Sequence, residues 1–93
     1  MIKISNMKKA GYSYESTKLA ALAQMISEGV RKRTNNRYIA TSKIKGNVLF
    51  ISIKALNKDM KYVNASNDEY TILSGRIANF LLQNGISADV EVV

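Results

Sequence analysis

No cysteine occurs among the 93 residues of the chain, and no histidine. The first absence excludes a disulfide framework, a thiolate nucleophile and a thiolate metal site. Small secreted domains usually need such a staple, so an intracellular, cytoplasmic protein is expected. The second removes the side chain that most often moves protons near neutral pH, and with it the commonest metal ligand. Neither catalysis nor a metal or other cofactor is expected of such a chain. No run of apolar residues approaches the ~20 needed to cross a bilayer, and the N-terminal "MIKISNMKKAGYSYES" places Lys and Asn where a signal peptide would carry its apolar segment.

Acidic residues are also scarce: seven Asp and Glu stand against fourteen Lys and Arg, a formal charge of +7. On so small a surface that excess favours encounter with polyanions or acidic protein faces. The few carboxylates form no pattern for acid–base chemistry. Asp68 and Glu69 stand at a helix start, Asp89 and Glu91 on a terminal strand, and Asp59 in a loop between lysines. No glycine-rich phosphate cradle is present, and Ser13, Ser16 and Thr17 beside Lys18 read as a helix start rather than a Ser-Lys dyad.

What is present is a foldable pattern. The 46% apolar and 23% charged composition is that of a globular protein, and the length suits one α+β domain over residues 1–93. In "MIKIS", Ile2 and Ile4 alternate with Lys3, which predicts a short strand. With Ser13 as N-cap, Leu19, Leu22, Ala23, Ile26 and Val30 recur at helical spacing and predict an amphipathic helix of about twenty residues. "TNNR" ends it, since two successive Asn tolerate left-handed backbone. "RYIATSKI" and "VLFISIKAL" flank "KGN" as a hairpin, with Leu49, Ile51 and Ile53 on one face and Val48, Phe50, Ser52 and Lys54 on the other. After a polar connection, Ser66 and Glu69 stand at capping-box spacing before Tyr70, Leu73, Ile77, Phe80 and Leu81, and Gly85 closes that helix. "ISADVEVV" is a last alternating strand. The order βαββαβ closes most simply as a ferredoxin-like sandwich, two helices on one face of a four-stranded antiparallel sheet.

The basic residues concentrate in "EGVRKRTNNRYIATSKIKG". Arg31, Lys32 and Arg33 fall in the last helical turn, where cations complement the helix dipole, so a helix end accounts for much of their charge. Arg37, Lys43 and Lys45 follow on the hairpin and have no such local explanation. Together the six are the expected footprint for a partner: nucleic acid, bound through successive phosphates, or else an acidic protein surface. Tyr38, Phe50 and Lys54 form a second candidate, an aromatic and basic contact on the sheet face. That face could equally make a homodimer.

The RNA-recognition motif shares this element order, and "KGNVLFISI" begins with the Lys-Gly of its third strand. The aromatic positions of that pattern fall on Asn47, Leu49 and Ser52, so the chain does not carry the motif. The first helix bunches Arg31, Lys32 and Arg33 at one end, unlike a membrane-surface helix, and no membrane partner is expected. The leading expectation is a small binding protein for nucleic acid. The alternative is an interaction module or inhibitor of the kind viruses and mobile elements encode, docking on an acidic or nucleic-acid-binding surface of a host protein.

Overall fold

The first strand does form, and it runs further than its alternation predicts. In a computed structural model, which describes residues 1–93, β1 spans Ile2–Lys9. Asn6 lets it continue. Its φ of 51° lies in the left-handed region that Asn tolerates, and Asn6 and Met7 together face one residue of the neighbouring strand, a β-bulge. Across the bulge Asn6 Nδ2 donates to Asp89 Oδ2 at 2.7 Å. The extra residue turns Met7 onto the buried face that Ile2 and Ile4 already occupy.

Ala10 and Gly11, both at positive φ, make a two-residue turn, after which β2 (Tyr12–Ser13) pairs back on Lys9 and Lys8. Ser13 is therefore a strand residue and not an N-cap. The helix expected to start there is preceded by a single 3-10 turn at Ser16–Lys18, and α1 spans Leu19–Arg33, 15 residues. Ladder bonds to β1 outcompete a helical cap here: the Tyr14 N–H donates to Met7 O at 2.9 Å. The expected apolar stripe is intact, with Leu19, Leu22, Ala23, Ile26 and Val30 all buried.

Asn35 and Asn36 both take positive φ and end α1, and β3 (Tyr38–Lys45) then pairs with β4 (Val48–Leu56) along its whole length. Gly46, at φ +58°, occupies the first position of the connecting two-residue turn, where a side chain would be strained. The polar connection that follows contains an unexpected strand, β5 (Tyr62–Asn64), paired with the end of β4. Asn57 supplies the missing turn chemistry, its Oδ1 accepting from the backbone N–H groups of Asp59 and Lys61 at 2.9 and 3.0 Å. The capping box then forms as spelled out: Ser66 N–H donates to Glu69 Oε1 at 2.8 Å, and Glu69 N–H to Ser66 Oγ at 3.2 Å. It opens α2 (Asn67–Gln83), Gly85 follows at positive φ, and β6 (Ile86–Val92) completes the chain.

The architecture is α+β: two helices and an open antiparallel sheet of six strands. The four long strands lie in the order β6-β1-β4-β3, while β2 and β5 extend the ladders of β1 and β4. One face of the sheet is dry. Ile2 and Ile4 on β1 and Leu49, Ile51 and Ile53 on β4 are all 0% exposed beneath α1 and α2, which supply Leu22, Ile26, Leu73, Ile77 and Leu81. Helix α1 packs toward β3 and α2 toward β6. No helix is long and apolar enough to cross a membrane.

Two polar contacts tie α2 to the hairpin. The Ile53 N–H has no strand partner in the gap between β1 and β5, and it donates to the Tyr70 hydroxyl at 2.8 Å. The Tyr38 hydroxyl donates to Glu69 Oε2 at 2.6 Å. That bond, together with burial and the carboxylate's charge, raises the Tyr38 pKa. The bond from the Ser66 backbone, then that from Tyr38, lowers the Glu69 pKa. The lowered Glu69 value contributes stability above its unfolded pKa near 4.3, and this is lost as pH falls through the folded value; the raised Tyr38 value contributes below about 10 and is lost above. The difference in melting temperature between the wild type and Glu69→Gln should thus be flat from about pH 5 to 9 and shrink below about pH 4. Thermal unfolding followed by circular dichroism across that range checks this, and a difference unchanged at low pH contradicts it.

Candidate nucleic-acid interface

The strand pattern dictates which charges can meet. Side chains of β4 alternate, and with Leu49, Ile51 and Ile53 committed to the core, Val48, Phe50, Ser52 and Lys54 are forced to the outer face. Neither helix covers that face: Ile39, Val48, Phe50 and Leu56 are half-buried, and none belongs to the core or packs against it. The antiparallel register then places residues of neighbouring strands beside them. Lys3 of β1 and Lys43 of β3 both stand directly opposite Phe50, Lys45 stands opposite Val48, and Lys54 opposite Ile39. Directly opposed side chains have Cβ atoms about 4.5–5.5 Å apart, so Phe50 is flanked on both sides by a lysine.

Charge is graded across the face. Asp89 and Glu91 lie on β6, with Glu91 opposite Lys3 and Asp89 held by Asn6. From β1 towards β3 no strand residue is acidic, and Lys3, Lys8, Lys43, Lys45 and Lys54 remain, with Arg37 just ahead of β3. Of the other five carboxylates, Glu69 forms the capping box and Glu28 accepts from Gln24 on α1, while Glu15, Asp59 and Asp68 lie outside the strands of the sheet. The β3 margin of the sheet is thus the positive one.

The six basic residues of the expected footprint do not form one cluster. Lys43 and Lys45 share the outer face of β3, but Arg37 precedes that strand and lies ~20 Å from Lys43 along the chain. Arg31, Lys32 and Arg33 close α1, in the helical layer on the opposite side of the sheet. Arg31 Nη1 reaches the side-chain oxygen of Asn36 at 3.5 Å, and the Arg33 guanidinium sits 5.6 Å from the centroid of the Phe80 ring on α2. Arg33 thereby leans away from the hairpin, in a cation–π contact of the kind guanidinium favours.

The second candidate, Tyr38 with Phe50 and Lys54, is divided by the register. Tyr38 is opposite Ala55, on the helix-covered face, where it packs on the core and bonds Glu69. Phe50 and Lys54 share the outer face, two rows apart. Tyr38 and Phe50 are therefore not a pair, because an odd number of positions separates Tyr38 from the outward residue Lys43 that faces Phe50.

Comparison with protein-family models, with curated proteins and with solved structures finds no match.

Sequence reasoning missed Lys3. Its alternation with Ile2 and Ile4 is visible and puts it on the solvent face of its strand, but only the pairing of β1 with β4 brings it to Phe50. Also missed is a groove of about 210 Å³ between α1 and α2, floored by Ile26, Val30 and Ile77 and rimmed by Arg33, Arg76 and Phe80, with no carboxylate in its lining.

Proposed function

We propose that the protein binds nucleic acid through the phosphate backbone, by the outer face of the sheet rather than by the end of α1, and acts by binding and not by catalysis. The observation that carries this reading is the charge gradient: Lys3, Lys43, Lys45 and Lys54 stand on an uncovered, partly apolar face whose acidic residues are confined to β6. Each Lys or Arg set against a phosphate releases condensed counterions, which supplies affinity without sequence preference. The lack of histidine and cysteine supports binding over catalysis. We further read the fold as a ferredoxin-like βαββαβ sandwich enlarged by β2 and β5, supported by the order of the four long strands and by both helices lying on one face.

Fluorescence anisotropy with a labelled oligonucleotide at several salt concentrations tests the proposal. With four or five phosphate contacts on a single strand, log K should fall against log salt with a slope of about −3. Absence of binding at 50 mM salt, or affinity indifferent to salt, overturns it. The α1–α2 groove favours a second reading, docking on an acidic protein, because two guanidiniums flank an apolar floor there. A stoichiometric partner that resists nuclease and is lost on Arg76→Glu would support that reading instead.

A further inference from the structure

We infer that the outer sheet face is a single-strand platform, on which one unpaired base stacks against Phe50 while Lys3 and Lys43 hold the phosphates on either side. This rests on the proposed nucleic-acid function and names its substrate class. Phe50 is the lone aromatic among the outward residues of β1, β3 and β4. Its same-face neighbours are Val48 and Ser52 along β4 and Lys3 and Lys43 across the ladders, so nothing aromatic or acidic adjoins it. The two lysines stand one strand spacing to each side, ~10 Å apart. An aromatic between two such charges combines the features that hold single strands: a face for a base and cations for the backbone.

Duplex would gain only half of this. Its base faces are stacked on one another, so a paired helix could use the lysines and leave Phe50 idle. A second copy of this chain is a poorer occupant. A twofold interface sets the same patch against itself, and here that would oppose Lys3, Lys43, Lys45 and Lys54 with their own equivalents.

The test compares a labelled twelve-nucleotide oligothymidylate with a twelve-base-pair duplex, at fixed salt, for the wild type, Phe50→Leu and Phe50→Tyr. Leucine keeps apolar bulk in the strand, and circular dichroism confirms that each variant folds. The wild type should prefer the single strand. Phe50→Leu should weaken that binding about tenfold, leave duplex binding and the salt slope unchanged, and Phe50→Tyr should retain the preference. Equal affinity for both probes, or no effect of Phe50→Leu, overturns the platform and leaves phosphate binding standing. A sheet-face dimer in sedimentation that Phe50→Leu dissociates also overturns it. Failure to bind either probe overturns both readings.

Discussion

Ile51→Ala is expected to lower the unfolding free energy by about 4 kcal/mol, out of roughly 5–15 kcal/mol available to a domain of this size. Ile51 is 0% exposed and lies between Ile2 on one neighbouring strand and Ser42 on the other, beneath both helices. Removing three carbons forfeits about 2.4 kcal/mol of transfer free energy at about 0.8 kcal/mol each. The remainder is the cavity, which a sheet pinned by ladders on both sides of β4 cannot close. At about 4–8 °C per kcal/mol, the melting temperature should fall by some 15–30 °C. Ile44→Ala is the control. Ile44 has the same inward orientation but is 42% exposed and lies outside the core cluster, and it should cost no more than about 1.4 kcal/mol. Comparable losses at the two positions would refute this account of the core.

The second large effect separates location from charge. Replacing Lys3, Lys43 and Lys45 by Ala, or Arg31, Lys32 and Arg33 by Ala, removes three charges and takes the chain from +7 to +4 in either case. If affinity followed net charge alone, the two triple variants would be equal. With the phosphates on the outer face, the first should lose three contacts. At 0.15 M salt each is worth about 0.6 log unit, so affinity should drop about 50-fold and the salt slope should shrink by about 2. The second should lose less than about fivefold, because those cations lie in the helical layer and Arg33 is drawn to Phe80. Anisotropy titrations of both variants decide the matter, and equal losses would show long-range attraction rather than a site.

Much of the fold is legible in the chain because its signals are local. Ser66 and Glu69 form the capping box their spacing announces, Asn35 and Asn36 take the left-handed backbone that ends α1, and Gly46 and Gly85 occupy positive φ. Where local signals compete, pairing decides. Ser13 has the chemistry of an N-cap, but Tyr12 and Ser13 find partners in Lys9 and Lys8 only once β1 is extended past its bulge. In the same way β5 is hidden in a polar segment, since its ladder is with β4 and its turn depends on one Asn side chain.

The candidate site was half legible for the same reason. Period-two alternation with the hairpin turn puts Lys43, Lys45, Phe50 and Lys54 on the outward face, since Leu49, Ile51 and Ile53 must face in. Alternation says nothing of which strands are neighbours. Tertiary pairing alone brought Lys3 to Phe50 and set Asp89 and Glu91 at the far margin, and tertiary packing joined Tyr38 to Glu69. The sequence by itself determined the buried faces of α1, α2 and β4 and the points where both helices stop, because burial and backbone preference act within a few residues. Which charges share a surface was decided by the sheet order, because a ladder joins residues dozens of positions apart that no local pattern connects.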